Sequence, residues 1–177
     1  MTRLPVLAVA LAAAATGGPA HGAEAPAAGA DEPARCAVWA RELGFARSVA
    51  EHDMAAFAEH VHADAVFGVG GRTTRGRAAI VADWRGIVDG SALGLRWYPD
   101  QVSGAGDGRT AYSSGPALYR NPRDGSYRLG RFGSVWQQDE DGRWRVVFDG
   151  GLGPPTPADA AAAETFEAAR RTDCPSE

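Results

Sequence analysis

At 177 residues with 45% hydrophobic and 23% charged side chains, the chain is sized for one domain that buries roughly two-thirds of its unfolded surface. Its formal net charge of −4 lacks the basic excess that draws phosphate backbones, which excludes nucleic acid as an expected partner. No internal repeat is visible, and every permanently cationic side chain is Arg, a bias of composition without functional meaning.

The N-terminus carries export signals. Met1-Thr2-Arg3 is a short positive segment, Leu4 to Ala15 is an apolar run too short to span a bilayer, and Ala20 and Gly22 flank His21 as a cleavage site requires. The reading is a signal peptide over 1–22, cut after Gly22, and a periplasmic or secreted product with no membrane contact after cleavage. Residues 23–34, rich in Ala, Pro and Gly without apolar period, read as a disordered leader. An oxidising compartment lets thiols pair, so Cys36 and Cys174 are expected to form a disulfide closing nearly the whole domain, two free thiols being the alternative.

Order is expected from Arg35. Trp39, Leu43, Ala46 and Ala50 recur at helical spacing, widened by Val38, Phe45 and Val49, so this helix turns an apolar stripe to a core. Asp53 can cap a second, shorter helix carrying Phe57 and Val61. Ala65 to Val69 reads as a short strand broken by Gly70-Gly71, and Ile80, Trp84 and Ile87 mark a third helix stopped at Asp89-Gly90. Two extended runs follow, Leu95 to Ser103 and Arg109 to Arg120. Residues 152–177 read as a linker through Gly153-Pro154-Pro155 and a tail helix with Thr156 as N-cap and Pro157 at its first position.

Tyr127 to Gly150 is the strongest element, a hairpin around Asp139-Glu140-Asp141-Gly142. Strict alternation puts Phe132, Trp136, Trp144, Val146 and Phe148 on one face and Leu129, Arg131, Val135, Arg145, Val147 and Asp149 on the other. With the turn centred on Glu140, Arg131 falls opposite Asp149, close enough for a cross-strand ion pair.

This order implies an α+β fold with helices on one face of a curved sheet. Over 36 to 151 the chain resembles the nuclear transport factor 2-like superfamily, in particular its SnoaL-like branch. The resemblance rests on Asp53-Met-Ala-Ala-Phe57, Asp64-Ala-Val-Phe67, Arg75-Gly-Arg-Ala-Ala-Ile80 with Trp84, Trp97-Tyr-Pro99, and Asp141 to Asp149. It implies a domain over 35–151 in which a cone-shaped antiparallel sheet packs on three helices, plus a C-terminal helix outside the family pattern. It further implies a pocket inside the cone, walled by Trp84 and Trp97, with Phe67, Tyr112 and Val147 as further candidates.

Asp149 and Arg131 are the candidate catalytic pair within that pocket, Asp149 as general acid or base and Arg131 orienting a substrate oxygen; mutual satisfaction is the alternative. Ketosteroid isomerases share the fold, but the positions matching their tyrosine and two carboxyls fall at about Phe45, Val69 and Gly133 or Ser134, none of which supplies the group. His60, His62 and Asp64 do not read as a metal site, because residues two apart on a helix diverge. The Gly-rich stretch 68–71 lacks the Lys and hydroxyl of a phosphate loop, so no cofactor is expected. The expected activity is uptake of a small apolar or amphipathic molecule. A small cyclase, isomerase or hydratase using Asp149 is one alternative, and an accessory interaction domain the other. Two apolar hairpin faces further suggest a homodimer through the sheet, unless the tail helix folds back over one of them.

Overall fold

The computed structural model describes residues 32–68 and 71–176, so the expected signal peptide and most of the expected leader lie outside the described residues. Helix α1, Glu32–Ala50, begins three residues ahead of Arg35. Glu32 suits its positive end, and Pro33 is tolerated in a first turn where no N–H is needed. The elements that follow are α2 (Met54–His60), β1 (Val61–Phe67), β2 (Thr74–Arg75), α3 (Arg77–Asp83), α4 (Arg85–Val88), β3 (Gly94–Trp97), β4 (Gln101–Gly104), β5 (Thr110–Arg120), β6 (Tyr127–Gln138), β7 (Trp144–Gly151), β8 (Thr156–Ala158) and α5 (Ala160–Ala168). Asp53 caps α2 as its position predicts, accepting from the Ala56 N–H at 2.9 Å. The third expected helix is broken at Trp84 into α3 and α4.

The sheet order is β2-β1-β7-β6-β5-β3, with β4 also on β5 and β8 also on β6. Every pairing is antiparallel except that of β1 with β7, so the expected α+β cone stands with one parallel seam. Strands β3 and β4 share one edge of β5, β3 along Ala117–Arg120 and β4 along Ala111–Ser114. The chain between them crosses at Gly115, where a Cβ would stand 2.0 Å from the Tyr98 carbonyl oxygen. Only glycine admits that approach.

Helix α1 lies against the inner face of the sheet, and its buried face carries Val38, Trp39, Leu43, Phe45, Ala46 and Val49. Phe45 is the hub of an aromatic core, with ring centroids 5.3 Å from Phe57, 5.2 Å from Trp97 and 6.1 Å from Trp136. Burial of each such ring stabilises by about 1.5–3 kcal/mol, so this cluster helps hold the helices onto the sheet.

The hairpin turn follows its sequence, with Gly142 at φ +78° and its N–H donating to the Asp139 carbonyl at 3.0 Å. The segment after it does not. Thr156–Ala158 is no helix start but an edge strand against β6, a place where Pro157 is tolerated. The α5 N-cap is Asp159, which accepts from the Ala162 N–H at 2.8 Å. Helix α5 covers the β3–β5 end of the outer sheet face by burying Ala163 and Phe166, the latter 4.8 Å from the Tyr98 ring. Cys36 and Cys174 form a disulfide that ties the tail to α1 across 138 residues.

Candidate functional site

The site begins with an irregularity in β7. Val135 pairs with Phe148 and Trp136 with Val146, so Val147 is an extra residue, a β-bulge. Strict alternation from Trp144 and Val146 would point Phe148 inward and Asp149 outward. The bulge reverses both: Phe148 is 47% exposed and Asp149 only 8%. Asp149 thereby reaches an inner cavity of about 210 Å³ walled by Trp84, Ile87, Leu93, Leu95, Trp97, Ala117, Tyr119 and Phe132, with the backbone of Gly68, Gly150 and Gly151 closing the side by β1 and β7. Apart from Asp149 and the Tyr119 hydroxyl, every side chain in that lining is hydrocarbon or indole.

Ser134, opposite Asp149 in register, donates its hydroxyl to Oδ2 at 2.7 Å. Burial pushes the Asp149 carboxyl up to about 7; the Ser134 hydroxyl opposes this, and the neighbouring Glu42 charge adds to it. Tyr119 is likewise held above its ordinary range, by burial first and by the Asp149 charge second.

Glu42 is a second inward carboxyl, fully buried behind the cavity. Its Oε1 accepts from Trp97 Nε1 at 2.6 Å, and its Oε2 from Ser113 Oγ at 2.5 Å and Trp136 Nε1 at 2.9 Å. Burial raises its pKa, and the hydrogen bonds from Ser113, Trp97 and Trp136, in that order, oppose it. Trp97 is therefore at once cavity wall and anchor of Glu42. Sequence reasoning missed Glu42, although a signal was present: it stands between Trp39 and Phe45 on the apolar stripe of α1, where a carboxylate has no solvent to face.

The expected Arg131–Asp149 pair does not exist. Arg131 lies opposite Leu152, whose N–H donates to its carbonyl at 2.9 Å, and its guanidinium forks onto Asp100 at 2.7 and 2.8 Å at the surface. The reason is register: Gln138 pairs with Trp144, which centres the hairpin on Asp141, and the bulge adds one more residue, so Ser134 faces Asp149. Of the expected pocket residues, Trp84 and Trp97 line the cavity. Phe67 sits behind, its ring 5.4 Å from Trp84. Tyr112 alternates with the inward Ser113 and so lies on the outer face, and Val147 is the half-buried bulge residue; neither lines the cavity. His60 closes α2 with Nδ1 2.8 Å from the Ala56 carbonyl, while His62 and Asp64 lie in β1, with His62 3.5 Å from Asp139. Among the described residues no three His, Cys, Asp or Glu side chains gather as a ligand set.

A family model for the SnoaL-like domain matches residues 43–147. The chain belongs to the SnoaL-like family. Solved structures of nuclear transport factor 2-like proteins share its fold. A nuclear transport factor 2-like protein of unknown function from Pseudomonas putida KT2440 superimposes with a TM-score of 0.58 at 15% identity, covering 70% of this chain and 88% of that one. An epoxide hydrolase of the LEH-like kind from Mycobacterium tuberculosis gives 0.52 at 14%, covering 68% and 82%. A proposed polyketide cyclase from Pseudomonas putida KT2440 gives 0.52 at 17%, covering 68% and 91%. No curated protein matches the sequence significantly. At these identities the likeness is one of fold, and proteins sharing this fold carry unlike names, so the function of this SnoaL-like domain has to be argued from its own cavity.

Proposed function

We propose that this chain is an exported protein that takes up a small, largely apolar molecule in the cavity over Asp149. The observation that carries the reading is the lining: indole and hydrocarbon walls around one carboxyl and one phenol, the composition of a site that binds by burial and orients by a few polar groups. The test is titration with neutral bicyclic alcohols, followed through quenching of Trp84 and Trp97 fluorescence. Saturable quenching that is lost in Trp84→Ala supports the reading, and a panel without a saturating member overturns it. Export is checked by intact mass of protein from the extracytoplasmic fraction, expected to begin at Ala23.

A second reading has its own observation. A carboxyl held near neutrality in an apolar cavity can give or take a proton, which fits an enzyme of the cyclase, isomerase or hydratase kind with Asp149 as proton carrier. Asp149→Asn separates the two: unchanged affinity with turnover abolished on some bound compound favours the enzyme.

The molecule is further proposed to dimerise through the outer face of β6 and β7. Helix α5 covers the β3–β5 end of that face and leaves Phe148 and Leu152 47% and 56% exposed. Light scattering of wild type and Phe148→Asp checks this; a wild-type monomer ends it.

A further inference from the structure

Leu93 and Tyr119 are walls of two hollows. Besides the cavity over Asp149 they line a second hollow of about 480 Å³, completed by Ser91, Ala92, Asn121, Arg123, Ser126 and Arg128. The two spaces are opposite in character. The inner one is apolar with an acid in its lining; the outer one carries two guanidinium groups and three further polar side chains, and no carboxylate lines it.

The two arginines keep their charge available. Arg128 donates Nε and Nη2 to the Pro155 carbonyl at 3.2 and 2.6 Å, a neutral acceptor that fixes the fork without neutralising it. Among the described residues no carboxylate lies within ion-pair distance of Arg123 or Arg128. The acids nearest in sequence are spent on their own turns: Asp124 accepts from Ser126 N–H and Asn121 Nδ2, each at 2.9 Å, and Asp89 accepts from Ser91 N–H at 2.9 Å. They temper the local potential but do not occupy the guanidinium groups.

We infer that the ligand of the cavity is an amphipathic anion, with its apolar body over Asp149 and its carboxylate or similar oxyanion head at Arg123 and Arg128, on the far side of Leu93 and Tyr119, the walls the two hollows share. This rests on the cavity reading above and adds the ligand's charge and orientation. The reverse orientation is disfavoured, because an anion inside would be desolvated beside the Asp149 and Glu42 carboxyls. Two guanidinium charges favour an oxyanion over a neutral group, so the outer hollow selects for the head while the inner one accepts any apolar body of the right size.

The experiment compares 2-naphthylacetate with 2-(2-naphthyl)ethanol, two probes of the same body, by calorimetric titration at about pH 7.5 and low salt, in wild type and Arg123→Gln/Arg128→Gln. We expect both to bind wild type, the acid about tenfold tighter, an advantage that shrinks in about 0.5 M NaCl as exposed charges are screened. In the double variant the acid falls to the affinity of the alcohol while the alcohol is unchanged, which also verifies that the variant is folded. An acid that binds wild type no better than the alcohol, or that keeps its advantage without the arginines, overturns the inference and leaves the cavity reading standing. If neither probe binds, the cavity reading falls and this one with it.

Discussion

Replacing Asp149 by Asn should change how stability depends on pH, by an amount the structure supplies. The native carboxyl holds its proton to about pH 7, whereas the unfolded chain releases it near 3.8. A folded pKa above the unfolded value means stability that is fully present below about 4 and lost as pH rises through the folded pKa. Roughly three pH units at ~1.4 kcal/mol each sum to about 4 kcal/mol lost by pH 8. His60 works in the opposite sense, because burial holds it neutral down to about 4 against 6.5 in the unfolded chain. Its contribution is present above 6.5 and lost as pH falls through 4, about 3 kcal/mol in all. Between pH 4 and 6.5 the two slopes oppose one another, so the wild-type curve alone is nearly flat in these two groups and conceals both. Urea unfolding of the disulfide-intact protein from pH 4.5 to 8.5 should therefore show Asp149→Asn becoming steadily more stable relative to wild type as pH rises, approaching about 4 kcal/mol and levelling above pH 7. Infrared absorption of the protonated Asp149 carbonyl, absent in the variant, should fade with a midpoint near 7. A difference between the two proteins that stays constant across this range would falsify the burial argument for Asp149, and with it the proton-carrier reading.

Glu42→Gln sets an amide N–H among donors from Trp97, Ser113 and Trp136 and should cost about 1–3 kcal/mol in urea unfolding. It should also lower the Asp149 midpoint, since the Glu42 charge raises it. Arg131→Ala removes only an exposed pair with Asp100, so it should cost under ~1 kcal/mol and leave the Asp149 titration where it was; a shifted titration would contradict the register described here. Gly115→Ala drives a methyl into the Tyr98 carbonyl and should cost at least about 3 kcal/mol or abolish soluble expression. Cys36→Ser/Cys174→Ser reopens a loop of 138 residues, with a loss of up to about 5 kcal/mol on the chain-entropy model and increased apolar-dye binding as Phe166 leaves Tyr98.

Much of the architecture is legible along the chain because it is local. The stripe on α1, the Asp53 cap, and the acidic turn closed by Gly142 depend on side chains within a few residues of one another, and so does the SnoaL-like pattern built from them. Even Asp149 could be singled out, as an acid at the end of an apolar strand. Its surroundings could not. One extra residue at Val147 exchanges the two faces of the strand, and no periodicity marks where a ladder slips. The tail misled for a related reason, since Thr156-Pro157 has the composition of a helix start and becomes a strand only because the open edge of β6 is beside it.

What the sequence determined by itself, then, is the apolar stripe of α1, the Asp53 cap and the β6–β7 hairpin, and that a carboxyl lies near the end of β7. Only the tertiary structure decided that Ser134 and not Arg131 meets that carboxyl, that Glu42 stands behind it, and that two hollows of opposite polarity share Tyr119 as a wall. Helical and strand periods are properties of neighbouring peptide units, whereas register, desolvation and cavity walls are set by residues as far apart as Glu42 and Trp136, which only the folded chain brings together.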